Sequence, residues 1–193
     1  WLYTKYGFDV TFAYAAAASI LGAAIALGIS AARTDIPVPS SSGALKVPLI
    51  SRGALFPTFV FLSYTVSTAP VNSFLPLLAE NRALGNPGLY FSVYAFTQIL
   101  VMIFSGTMAD RLGNARLIVP GLLIAGASMF MLWGAQNRLM FLTAGFLAGS
   151  GFGLIQPAIQ SMTITRVPTR ERSSAVATLQ SAWDLGGSGG AFI

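Results

Sequence analysis

The 193-residue chain contains no cysteine and no histidine. Without cysteine it can form neither a disulfide nor a thiolate metal site. Without histidine it lacks the commonest general base and metal ligand. Charge is scarce as well. Asp, Glu, Lys and Arg make up 9% of the residues, against about 25% in a soluble domain. So few charges cannot clothe a surface that faces water. Hydrophobic residues reach 54%, and the mean hydropathy is +0.70. The net charge of +5 would suggest a nucleic-acid partner in a soluble chain. In so apolar a chain it fits basic loops on one side of a bilayer, and no nucleic-acid partner is expected.

What the chain has in abundance is long apolar runs. Residues 83–109 and 117–137 contain no Asp, Glu, Lys or Arg. A hydrocarbon core about 30 Å thick needs roughly 20 apolar helical residues to cross it, so each run suffices. Six apolar segments follow along the chain: residues 10–32, 53–79, the two just named, 139–165, and a last one from Ser174 onward. Between the first two, residues 33–52 carry Pro37, Pro39, Ser40, Ser41, Ser42, Gly43, Lys46 and Pro48. That composition reads as a linker. Polar breaks fall at residues 80–86 and 166–173.

Basic residues sort by loop. Arg33, Lys46, Arg52, Arg111, Arg116, Arg166, Arg170 and Arg172 fall in one set of alternate loops; Lys5, Arg82 and Arg138 fall in the other. The imbalance assigns the first set to the cytoplasm. A soluble helical bundle has no reason to sort its charges in this way.

Between the two uncharged runs lies a turn, Gly106 to Arg116, reading G-x-x-x-D-R-x-G-x-x-R. It resembles the loop signature of the major facilitator superfamily, in which it joins the second and third helices of each six-helix half. Gly106, Asp110, Arg111, Gly113 and Arg116 match, while Asn114 stands where a basic residue is common. The resemblance continues beyond the turn. Residues 146–160, with their glycines and Pro157, are similar to the tenth helix of bacterial drug and metabolite exporters of this superfamily. Val167-Pro168 with Arg170-Glu171-Arg172 resembles their next cytoplasmic loop, and residues 181–186 resemble their eleventh helix. Met102 stands where many relatives have an arginine. The resemblance implies a twelve-span protein of which this is a part. Residues 1–32 would end the N-terminal half, 33–52 would be the cytoplasmic linker, and 53–193 would be the C-terminal half, cut short in its fifth helix. In the family the motif aspartate meets the start of the eleventh helix, which places Asp110 near the segment beginning at Ser174.

Polar residues inside the apolar runs recur at intervals of four. Tyr64, Thr68 and Asn72 do so with Pro70 between them; so do Tyr90, Tyr94 and Gln98, and Gln156 and Gln160 beside Pro157. Residues four apart share a helix face, and a polar face is costly against lipid. The stripes either bond to one another or line a wet cavity, and an aromatic-plus-amide wall suits a small organic ligand. Asp184 is the one ionisable residue well inside an expected span, roughly 15 Å deep at 1.5 Å per residue. A carboxyl there is costly and points to function: a proton carrier whose pKa burial raises, or a structural carboxyl. Gly145, Gly149 and Gly153 form a small-residue stripe, as do Ala182, Gly186 and Gly190. Such stripes serve tight helix packing or a sliding surface.

The expected fold is therefore an all-α membrane protein, a helical bundle of the superfamily's type with about six transmembrane helices in this partial chain. The expected function is proton-coupled efflux of small organic molecules by alternating access. Uptake of a sugar or organic acid is the alternative within the family, and a membrane structural or channel subunit the alternative outside it. No catalytic dyad is visible, so no enzyme is expected, and neither is a metal or cofactor. The expected partners are the lipid bilayer, a small-molecule substrate and protons. The expected state is a monomer in a bacterial inner membrane. No Arg or Lys lies deep in the expected spans, which disfavours an anionic substrate.

Overall fold

The computed structural model describes residues 51–189, and within them there are five α-helices. These are α1 (Leu55–Asn81), α2 (Pro87–Leu112), α3 (Ala115–Trp133), α4 (Arg138–Thr165) and α5 (Arg172–Gly189). A 3-10 turn precedes α1 at Arg52–Ala54 and another precedes α5 at Thr169–Glu171. Four helices, α1 to α4, are long and apolar enough to cross a membrane. Of the six expected spans, these are the four that the described residues show at membrane-crossing length and hydropathy. The segment at residues 10–32 lies outside the described residues. The helix from Arg172 falls short because Ser174, Gln180, Ser181, Asp184 and Ser188 dilute its apolar content.

The connections are short, so neighbouring helices run antiparallel. Asn86 starts α2 by accepting a hydrogen bond from the Gly88 N–H at 2.8 Å, with Pro87 in the first helical position. Asn137 starts α4 in the same way, accepting from Met140 N–H at 2.9 Å. Each side chain satisfies an N–H that the helix itself leaves unpaired. The motif region is less of a turn than its composition suggests. Helix α2 continues through Gly106 and Asp110 to Leu112, since nothing before Gly113 breaks it. Gly113 ends it at a φ of 89°, a conformation that costs glycine little. Asn114 then donates from Nδ2 to Ser161 Oγ at 3.2 Å, which ties the turn to the last part of α4.

The basic loops gather at one end. Ser51 is buried and its Oγ donates to Glu171 Oε2 at 3.2 Å. The Arg166 guanidinium lies 5.0 Å from the centre of the Phe56 ring. Ala54, Val167 and Ala175 close a small apolar cluster there. At the opposite end, Arg82 Nη1 donates to the carbonyls of Trp133 at 2.8 Å and Ala135 at 3.1 Å. A guanidinium on the last carbonyls of a helix satisfies acceptors that would otherwise be orphaned.

Packing divides the helices into two groups. Helix α4 lies along both α2 and α3, and α1 lies along α5. Glycines make the first group close. Gly145, Gly149 and Gly153 of α4 meet the backbone of α2 at Tyr90, Tyr94 and Gln98, one helical turn apart each time. Gly151 of α4 meets Gly121 of α3. In the second group Gly186 of α5 abuts Thr65 of α1, whose Oγ1 donates to the Ala182 carbonyl at 3.2 Å. Gly190 lies outside the described residues. Pro157 has no N–H to offer the Gly153 carbonyl one turn earlier. Ser105 of α2, fully buried, donates to that carbonyl instead at 2.8 Å.

The outside is apolar. Phe96, Leu123 and Phe130 are 66%, 70% and 78% exposed. Water would not tolerate such a surface, whereas lipid tails solvate it.

Candidate functional site

A cavity of about 430 Å³ lies between the two groups of helices. Seven of the eight polar residues singled out by their spacing line it: Tyr64, Thr68 and Asn72 from α1, Tyr90, Tyr94 and Gln98 from α2, and Gln156 from α4. The eighth, Gln160, does not. It lies one turn further along α4 and lines a neighbouring space of about 120 Å³ with Gln156, Gln180 and Trp183. The helix geometry explains why the stripes converge. The glycine stripe of α4 brings α2 close, so that Tyr90, Tyr94 and Gln98 fall beside Ala148, Phe152 and Gln156.

Aromatic rings form much of the wall. Tyr64 stacks on Phe152 with centroids 5.7 Å apart and planes 19° from parallel. Tyr94 lies on Phe152 at 6.3 Å and 27°. Trp183 of α5 tilts against Phe152 at 5.5 Å and against Phe61 at 5.5 Å. Phe152 and Trp183 were not among the residues chosen from the sequence. A signal for Phe152 existed, since it sits four residues before Gln156 on the same helix face.

The amides behave differently from structural polar groups. Among the described residues, the side chains of Asn72, Gln98 and Gln156 have no protein hydrogen-bond partner. Thr68 is committed, because its Oγ1 donates to the Tyr64 and Thr65 carbonyls at 3.2 and 3.3 Å. Asn72 is exposed and Gln98 and Gln156 are half-buried, so these amides are open to water or to a ligand. Among the described residues, no Asp, Glu, Lys or Arg lines the cavity.

Asp184 is exposed and borders none of these spaces. The described residues do not supply the burial expected of it. In the motif, Gly106 and Gly113 have open space around them, and Arg111 and Arg116 are exposed. Asp110 belongs to the final turn of α2. Among the described residues no cluster of acidic side chains could hold a metal ion.

The sequence matches the profile of the Major Facilitator Superfamily over residues 1–191. The chain belongs to this superfamily. It is a family of membrane transporters and not of enzymes, and the chain is an integral membrane protein. Curated relatives include the quinolone resistance protein NorA of Staphylococcus aureus, 26% identical over 101 residues, which are 51% of this chain and 26% of NorA. An uncharacterised transporter of the superfamily from Pseudomonas aeruginosa strain LESB58 is 26% identical over 162 residues, 83% of this chain and 40% of that protein. The chain thus spans between about a quarter and two-fifths of the length of these relatives.

Proposed function

We propose that this chain is the C-terminal half of a proton-coupled efflux permease for small organic molecules, working by alternating access. The observation that carries the reading is the cavity wall, with its stacked aromatic rings, three uncommitted amides and no charge. Apolar pockets with a few convergent polar groups are the usual form of small-molecule sites. The similarity to NorA, a quinolone resistance protein, supports the direction of transport. Residues 33–52 are the linker between the halves, and the loops bearing Arg52, Arg111, Arg116, Arg166, Arg170 and Arg172 face the cytoplasm. Gathering of these loops at one end of the helices supports that orientation.

Within this reading, Asp110 acts as a latch. A carboxylate at a helix N-terminus gains about 0.3–1 kcal/mol, enough to bias two conformations several-fold. Asp184, exposed among the described residues, is the proton carrier on this half. The test is drug export from everted vesicles containing the complete transporter. A proton gradient should drive uptake of a planar aromatic dye, and replacing Asn72, Gln98 and Gln156 together by Leu should abolish it. Gradient-driven flux that survives the triple replacement would refute the cavity assignment.

A further inference from the structure

The space beside Gln160 has a position that the cavity alone does not explain. Its lining residues repeat those of the main cavity one turn closer to the basic loops. On α1, Phe61 precedes Tyr64 by three residues; on α4, Gln160 follows Gln156 by four; on α5, Gln180 precedes Trp183 by three. Helices α1 and α5 start at the basic end and α4 finishes there, so all three steps point the same way. The spacing corresponds to about 4.5–6 Å along the helix axes. Gln156 and Trp183 are shared by the two spaces. Among the described residues, the amides of Gln160 and Gln180 also have no protein partner.

Trp183 stands at the junction. Its ring contacts Phe152, which belongs to the main cavity, and Phe61, which belongs to the smaller space. Trp183 is 41% exposed. Gly187, one turn further along α5, has nothing within 4 Å of where a side chain would begin.

We propose that the three glutamines form a second subsite for a neutral hydrogen-bonding group of the substrate, and that Trp183 gates it from the aromatic cavity. The proposal rests on the cavity being the substrate site. An aromatic substrate stacks in the upper space, while an amide or hydroxyl substituent reaches past the indole to Gln156, Gln160 and Gln180. A primary amide offers both donors and an acceptor, so this subsite takes uncharged groups of either polarity. Displacing the indole opens the way towards the basic end.

The experiment uses the complete transporter, freed of any native cysteines, in vesicles. Single thiols are introduced by Asn72→Cys, in the cavity, and Gln160→Cys, in the subsite. Each is exposed to a small impermeant cationic methanethiosulfonate added from the side of the Gly85–Asn86 loop. With Trp183 in place, the Asn72→Cys thiol should react readily and the Gln160→Cys thiol slowly. Trp183→Ala should raise the second rate about tenfold, a barrier lowered by about 1.4 kcal/mol, and leave the first unchanged. Trp183→Phe, which keeps a ring in place and guards against a folding defect, should keep the second rate low. A Gln160→Cys rate unaffected by Trp183→Ala, with Asn72→Cys reactive, would overturn the gate alone. An inert Asn72→Cys thiol would overturn the cavity reading and the gate with it.

Discussion

The glycine stripe of α4 makes a graded prediction. A Cβ added at Gly149 would fall on the Tyr94 backbone carbonyl. At Gly153 it would lie 2.9 Å from the Gln98 carbonyl oxygen and 3.0 Å from Val101 Cβ, and at Gly145 it would lie 3.0 Å from the Tyr90 carbonyl oxygen. At Gly126 of α3 it would meet nothing within 4 Å. Two effects compete. Alanine favours the helix over glycine by about 1 kcal/mol, while overpacking a close contact costs about 1–3 kcal/mol. Backbone cannot rotate out of the way as a side chain can, so Gly149→Ala sits at the upper end of that cost. Its net effect is a loss of about 1–2 kcal/mol. Gly153→Ala and Gly145→Ala should be smaller losses, and Gly126→Ala neutral or slightly stabilising. Thermal melting of the purified full transporter in one detergent measures the order. Because α2 must move away, Gly149→Ala should also weaken dye binding through Tyr90, Tyr94 and Gln98. Gly149→Ala melting with the parent protein, or Gly126→Ala falling as far, would refute the packing argument.

Three further outcomes are expected. Thiols introduced by Asn114→Cys and by Asn86→Cys should label from opposite sides of intact cells, since the charge count puts their loops on opposite faces; labelling of both from outside by an impermeant reagent excludes this topology. Asp110→Asn should populate the inward-open state several-fold more, given a helix-terminus interaction of about 0.3–1 kcal/mol. Unchanged accessibility of the cytoplasmic cavity would remove the latch. Asp184→Asn should abolish gradient-driven transport while sparing energy-independent exchange, because the amide keeps the shape and loses the titrating proton; full gradient-driven activity in that variant would rule out the coupling role.

Much of the site was legible because period-four polar stripes on long apolar helices have few places to go. Tyr64, Thr68 and Asn72 share one face whatever their neighbours, and so do Tyr90, Tyr94 and Gln98. Gln160 shares its stripe with Gln156 but falls beyond Trp183, because a stripe fixes a face and not a depth relative to another helix. Phe152 and Trp183 were passed over for a related reason: in a membrane chain an aromatic residue suits lipid and cavity equally well. The turn at Gly106–Arg116 was drawn too long, since charge marks the membrane boundary while the helix runs on to Gly113. For Asp184, distance along the helix gave depth and said nothing of which way the side chain faces. The segment from Ser174 reads as a span from its position in the series, and over the described residues its serines and glutamine keep its hydropathy below that of the other four.

The split of the helices into α2–α3–α4 and α1–α5 bears on how such a half could change its own volume. Ser105 fastens α2 to α4 at the place where Pro157 leaves that helix without an internal bond. With Gly151 seated on α3 and the glycine stripe seated on α2, the trio forms one tightly packed plate. Around Phe152 two ring contacts join this plate to the other pair: Tyr64 lies nearly flat on Phe152, and Trp183 tilts against it at 56°. Flat rings resist separation far more than they resist sideways slip. The Tyr64–Phe152 face is thus where the seam through the cavity slips most easily. A ligand wedged into it could widen its own berth without breaking a hydrogen bond in either group.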